Sequence, residues 1–266
     1  MPVSVFTAVR ARQPLIHAIT NPVTMNDVVN MILAGGALAV CADNPEETRE
    51  IALLSDGLLL NTGMPCDEKL RAMIQAGRAA NEKGIPVVLD PVGAGASQYR
   101  KCFLSELLRQ VRVDCVRANR SEIAALCGIS FKARGVESAD VSADTDRIRR
   151  LSEELDAVIA VTGEEDLAVY KETVLTSRTG CAMQKKITGA GCMLGGLIAA
   201  AIAANRTGLR SRGEKPDGAA DVLTVHEVLR AYGEAAEIAL ERVLSDAKAG
   251  TASFKTFFID AVSRME

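Results

Sequence analysis

The sequence predicts an α/β fold built from βαβ units, in which strands pair in parallel. Two observations carry this. Short apolar runs alternate with helix-patterned runs roughly every 25–30 residues, the repeat that right-handed βαβ units require. Hydrophobic residues make up 48% of the 266, enough for a core, and with aromatics at 3% and no Trp that core is aliphatic. The texture is even and fits one large α/β domain or two small ones; with no internal repeat and no linker, residues 1–266 are taken as a single domain.

Residues 3–12 read as a short amphipathic helix and 15–19 as a strand. A polar turn follows, and Thr24 is placed to cap a helix that reaches Ala34 and ends at Gly35-Gly36. Of the polar residues here, Asn26 is of interest, and His17 reads as a satisfied core histidine. Residues 37–40 form a strand. Asn44-Pro45-Glu46-Glu47 starts a helix, with Asn capping, Pro in the first position and Glu47 reaching back. Residues 57–60 are the next strand, 67–82 a helix closed by Gly84, and 85–89 a buried strand.

Open parallel sheets bind ligands beyond the carboxyl ends of their strands. That rule singles out Thr20-Asn21, Cys41-Ala-Asp43, Asn61-Thr-Gly63 and Asp90-Pro-Val-Gly-Ala-Gly95. Asp90, ahead of a Pro- and Gly-rich loop, suits a Mg²⁺ shell, because Mg²⁺ takes few protein carboxylates and keeps several waters. Alternatively it caps the helix that begins near Gln98.

Residues 113–117 form a strand. Asn119-Arg-Ser-Glu122 is a sound helix start whatever the function, and Glu122 would also add negative charge near a metal. Residues 130–143 are polar and read as a loop, 144–155 as a charged helix, and 157–161 as a strand ending in Thr162-Gly163-Glu164. A Thr and Gly there can offer a hydroxyl and open backbone to a nucleotide. Residues 167–170, 173–176 and 182–187 read as antiparallel strands at a sheet edge. The most polar segment, 206–221, reads as an exposed, mobile connection. Helices over 224–246 and 253–264 close the chain.

The stretch richest in chemistry is Thr188-Gly-Ala-Gly-Cys192 and the charge-free run behind it. Residues 193–204 read as a buried helix, too short to span a bilayer. The small residues then lie at its N-terminus, where backbone N–H groups lack partners and the dipole is positive. An anion can approach them closely. Cys192, at the helix entrance, is expected to have a lowered pKa. A Gly-rich turn before a core helix is the plain alternative, since the pattern is neither a dinucleotide fingerprint nor a Walker loop.

Composition narrows the partners. A net charge of −3 without a basic block argues against nucleic acid. The first residues lack the charged head and apolar core of a signal peptide, and no membrane association is expected. Seven cysteines, an odd number with no C-x-x-C pair, point to reduced thiols in the cytoplasm.

Together these motifs resemble hydroxyethylthiazole kinases, the thiamin-salvage branch of the ribokinase-like superfamily. The matching residues run in order from His17-Ala-Ile-Thr-Asn-Pro-Val-Thr-Met-Asn26 and Ala42-Asp-Asn-Pro-Glu-Glu47 through Leu60-Asn-Thr-Gly63 and Leu89-Asp-Pro-Val-Gly-Ala-Gly95. They continue with Arg117-Ala-Asn-Arg-Ser-Glu-Ile-Ala-Ala125, Val161-Thr-Gly163 and Ile187-Thr-Gly-Ala-Gly-Cys-Met-Leu194. The resemblance implies a three-layer αβα fold around a mostly parallel sheet. It implies an enzyme that moves the γ-phosphoryl of ATP, with Mg²⁺, to the hydroxyl of 4-methyl-5-(2-hydroxyethyl)thiazole. It also implies homotrimers with the thiazole bound between subunits.

By the same resemblance, Gly189, Ala190, Gly191 and Cys192 are catalytic, Arg117, Asn119 and Thr162 meet the nucleotide, and Asp90 and Glu122 act on the metal. Cys41, Asn21, Asn26, Gly63, Val92 and Gly189 line the thiazole side. Most sugar kinases of the superfamily carry Asp where this chain has Cys192. A thiol starts from a pKa of about 8.5 against about 3.9 for Asp, so only modest base catalysis is expected. The family usually has Met at the position of Cys41. The shorter side chain would admit a larger ring substituent, or cost on the order of 1–3 kcal/mol of binding. The competing readings are a related small-alcohol kinase or ATP-dependent dehydratase, a nucleotide- or thiazole-holding regulatory protein, and covalent chemistry at Cys192.

Overall fold

The computed structural model describes residues 5–128 and 141–265. In chain order these are helix α1 (Val5–Arg12), strand β1 (Leu15–Ile19), α2 (Met25–Ala34), β2 (Leu38–Val40), α3 (Thr48–Leu54), β3 (Gly57–Asn61), α4 (Asp67–Lys83) and β4 (Val87–Asp90). There follow α5 (Gln98–Gln110), β5 (Cys115–Asn119), α6 (Arg120–Leu126), α7 (Val141–Leu155), β6 (Val158–Thr162), β7 (Asp166–Tyr170) and β8 (Thr173–Ser177). The chain ends with α8 (Ala190–Ser211), α9 (Gly218–Ser245) and α10 (Thr251–Arg264).

The eight strands form one sheet in the order β2-β1-β3-β4-β5-β6-β7-β8. The first six pair in parallel, and β7 and β8 close one edge antiparallel. Alternation along each strand sends side chains to two separate cores. Leu59, Val88 and Ala160 face a layer that includes α1, α2, α8, α9 and α10. Leu58, Leu60, Leu89 and Ile159 face a second core with α3, α4, α5, α6 and α7. The three-layer architecture expected from the sequence is therefore present.

Helix α8 runs through the middle of the first layer, and its Ala- and Gly-rich surface lets it lie close on the sheet. It is 22 residues long, well past the expected 193–204. Length and composition alone would allow a membrane span, but 89% of its apolar window is buried inside the fold.

Four expectations need correction. The segment 206–221 is an exposed connection only over 212–217: α8 continues to Ser211, α9 begins at Gly218, and Arg206 and Asp221 are buried. Ion pairing explains the burial of the two ends: Arg206 donates to Asp221 at 3.0 Å through Nε and to Asp114 at 2.8 Å through Nη2. The segment 182–187 is a 3₁₀ helix over Ala182–Lys186 rather than a strand, held by Gln184 bonding back to the Cys181 backbone. Asn44 accepts from Glu46 N, but the regular helix begins only at Thr48, so the Asn-Pro-Glu-Glu stretch forms a turn ahead of it. Thr24 precedes α2 without capping it by its side chain, because its hydroxyl accepts from Asn21 instead. Of the loop expected at 130–143, residues 130–140 lie outside the described residues, and Val141 already opens α7.

Candidate active site

The carboxyl ends of β1, β3, β4, β5 and β6 converge beneath the N-terminus of α8. Each contributes a polar side chain to one connected group. Asp90, last residue of β4, is fully buried. Its Oδ2 accepts from Asn61 Nδ2 at 2.7 Å, and its Oδ1 faces Arg117 Nη1 at 3.4 Å. Ser97 caps α5, so the alternative in which Asp90 caps that helix falls away.

Burial is the main reason the Asp90 carboxyl is pushed up to about 6. Arg117 opposes the rise, and the charge of Glu122 adds to it. Glu122 itself is spoken for twice, accepting from Gly93 N and from Asn119 N, each at 2.9 Å. It completes the capping box with Asn119, as its spacing suggested. Asn119 is thereby a helix cap, with Ser121 donating to the same oxygen.

Arg117 rises from β5 toward α8. Nη2 donates to Thr162 Oγ1 at 2.8 Å, while the buried Nε finds no partner among the described residues. Its guanidinium occupies the space where a β-carbon on Gly191 would stand. Gly189 adopts φ +84°, and a β-carbon there would meet Thr24 Cγ2 at 2.8 Å. No side chain caps α8. A helix N-terminus with a guanidinium beside it is a doubly positive seat, fitted to an anion. Tyr232 of α9 fixes the seat from behind, its hydroxyl donating to Ala190 O at 2.6 Å.

Cys192 is buried on the first turn of α8. Asn21 Nδ2 approaches its sulfur at 3.9 Å, and the thiol lies within reach of Asp90. The expected lowering of its pKa does not occur. Burial pushes the thiol up, and the Asp90 charge adds to that, outweighing the helix terminus and the Thr24, Asn61 and Arg117 contacts.

Asn21, Asn61 and Gly63 form the opposite wall. Asn21 Nδ2 donates to Asn61 Oδ1 at 3.0 Å and to Thr24 Oγ1 at 2.9 Å, and Gly63 N donates to Asn61 Oδ1 at 3.0 Å. Val92 lies on the loop after β4, its carbonyl accepting from Arg100. Asn26 is not part of the group: it is exposed on α2 and bonded to Asn30. Cys41 stands half-buried just past β2, one strand outward from β1, its thiol raised by burial and by Asp43. His17 is buried in the core but only half satisfied: Nε2 is bonded to Ala42 O at 2.7 Å, while the buried Nδ1 finds no partner among the described residues.

Sequence reasoning missed Lys69. It lies in the charged first turn of α4, which reads as a solvated face, yet its ammonium is buried and donates to Thr20 O and Gly63 O, each at 2.8 Å. Burial pushes it down to about 8. Asn61 was noted only as a loop residue, and nothing in the sequence marks Tyr232.

Comparison with known proteins settles the kinship. The model of the hydroxyethylthiazole kinase family matches residues 6–266. A hydroxyethylthiazole kinase of Clostridium tetani is 37% identical over 263 residues, 97% of this chain and 90% of that protein. The chain belongs to the hydroxyethylthiazole kinase family. A solved family structure from Pyrococcus horikoshii superposes with a TM-score of 0.82 at 32% identity, covering 98% of this chain and 92% of that one. A ribokinase-like superfamily protein of Enterococcus faecalis, at 10% identity, shares the fold alone, with a TM-score of 0.61 over 98% of this chain and 89% of that one.

Among the described residues no cluster of three or more His, Cys, Asp or Glu side chains is placed to hold a metal. The donor set still fits Mg²⁺ delivered with phosphate. One buried carboxylate and a second acid felt by it match an ion that takes few protein ligands and completes its shell with water and phosphate oxygens.

Proposed function

We propose that this protein phosphorylates the hydroxyl of 4-methyl-5-(2-hydroxyethyl)thiazole with ATP, the salvage step for the thiazole half of thiamin. Family membership over residues 6–266 supports the substrate. The observation that carries the chemistry is the uncapped N-terminus of α8 with Arg117 against Gly191 and Cys192 one residue on.

Phosphoryl transfer asks for positioning and charge stabilisation more than for covalent steps. The N–H groups of Gly189, Ala190 and Gly191, with Arg117, meet the charge on the transferred group. Thr162 holds Arg117 in place and, with Asn119 nearby, borders the nucleotide. Asp90, with Glu122 behind it, would hold Mg²⁺, which supplies neutralising charge to the phosphate oxygens. Asn21, Gly63, Val92 and Cys41 flank the alcohol. The Cys192 thiol, raised rather than lowered, stays protonated near neutral pH and serves to orient the hydroxyl. In a loose transition state the alcohol loses its proton late, so a weak base suffices.

The working unit is a single kinase domain over 1–266, assembled as a homotrimer with the thiazole between subunits. Exposed apolar side chains near the β2 edge and the loops beside the site, Val23, Leu38 and Met64, support a covered face there, and Asn26 on α2 is exposed as well. All seven cysteines are free, which supports a reducing, cytoplasmic setting. The test is an assay with ATP and Mg²⁺ against a panel of hydroxyethyl-azoles, with Cys192→Ala as control. Turnover restricted to the thiazole alcohol and its near relatives supports the reading. ATP consumption with no acceptor phosphorylated contradicts it.

A further inference from the structure

Asn61 lies between the two halves of the site and has no role in the function so far described. It is fully buried at the end of β3, and its side chain bonds Asn21, Asp90 and Gly63, all inside the site. The polarity of those bonds is fixed. A backbone N–H can only donate, so the atom that receives Gly63 N at 3.0 Å must be the amide oxygen. The same oxygen receives Asn21 Nδ2. The amide nitrogen then points to Asp90 and donates at 2.7 Å. Gly63 is itself pinned from the other side, its carbonyl taking the Lys69 ammonium.

From this we infer that Asn61 is a positioning residue that sets the alcohol-holding side chains in register with the carboxylate that serves the phosphoryl group. The inference rests on the kinase reading above. Asn61 keeps Asp90 Oδ2 as an acceptor and turns the Asn21 amide nitrogen toward Cys192. No other side-chain type supplies one acceptor for two donors and one donor for the carboxylate at that reach. Aspartate would keep the acceptor side and set a second carboxylate oxygen against Asp90.

The experiment compares the whole protein with Asn61→Asp and Asn61→Ala, measuring KM for the thiazole alcohol, KM for ATP, and ADP formed per phosphorylated alcohol. Register lost between acceptor and donor lets water compete for the phosphoryl group. The expected result is an alcohol KM raised about tenfold, an ATP KM within about threefold of wild type, and an ADP-to-phosphoester ratio rising from about one to two or more. These readouts do not depend on the fraction of folded enzyme. Variants that lose only kcat, with both KM values and the ratio unchanged, overturn the inference, as do variants indistinguishable from wild type. Aspartate preserves shape and can be read where alanine fails to fold. A wild-type protein that does not phosphorylate the alcohol overturns the kinase reading itself, and that result is separate from any effect of the variants.

Discussion

The Arg117 guanidinium rests against the α-carbon of Gly191, in the volume a methyl group would fill. Arg117 comes from the end of β5 and Gly191 from the first turn of α8, so the contact joins a fixed side-chain charge to an uncapped helix terminus. Much of the account follows from that pairing and from the buried Asp90 behind it.

Asp90 should trade stability for function. Its carboxyl ionises at about 6 in the folded protein against 3.8 when unfolded. The folded state therefore holds this proton more tightly, so the contribution to stability is present below about pH 4 and lost as pH rises through about 6. Asp90→Asn is expected to abolish Mg²⁺-dependent turnover and, above pH 7, to raise stability by on the order of 1–3 kcal/mol. The gain should vanish toward pH 4. Denaturant unfolding across that range checks it, and a loss of stability at pH 7.5 would contradict the burial argument.

Cys192 should be a sluggish nucleophile. Burial and Asp90 raise its pKa, whereas Cys66 and Cys102 are exposed. Iodoacetamide at pH 7 should label the two exposed thiols well before Cys192 and the fully buried Cys115, as peptide mass spectrometry would read. Cys192→Ala should lower kcat about 10- to 100-fold, at the weak end of acid–base effects. A larger fall would restore the thiol as the main base.

Much of this was legible in the sequence. Strand and helix alternation placed each parallel strand to within a few residues, and polar side chains at the strands' carboxyl ends, where the site was sought, do meet in one hydrogen-bonded group. The capping box at Asn119 and Glu122 formed as spacing required. What stayed hidden depended on distant partners. Lys69 looks solvated until Thr20 and Gly63 are seen to surround it, and Arg206 looks like loop until Asp114 and Asp221 meet it. The Cys192 pKa went the wrong way for the same reason: the helix terminus is visible locally, but the burial and the Asp90 charge that outweigh it are not.

The Arg206 cluster should prove costly to break by halves. Arg206→Leu leaves Asp114 and Asp221 facing each other in the interior and is expected to destabilise the protein by about 3–5 kcal/mol. Adding Asp114→Asn and Asp221→Asn should recover much of the loss. Urea midpoints of the single and triple variants test this, and a triple variant weaker than Arg206→Leu would refute it.

Lys69→Met should act on the acceptor, not the nucleotide. Removing the ammonium frees Thr20 and Gly63, whose neighbours Asn21 and Asn61 belong to the wall proposed to hold the alcohol. Alcohol KM is expected to rise about tenfold with ATP KM little changed. Steady-state kinetics with each substrate varied in turn would show it, and an equal rise in both values would place Lys69 in general stability instead.

The most direct measurement is a double-mutant cycle on kcat/KM for ATP, using Gly191→Ala, Arg117→Gln and the pair. If helix terminus and guanidinium form one seat for the phosphoryl group, each single change costs about tenfold or more and the pair costs little beyond the worse single. Gly191→Ala with wild-type kcat/KM, or losses that simply multiply, would mean that the two are not one seat.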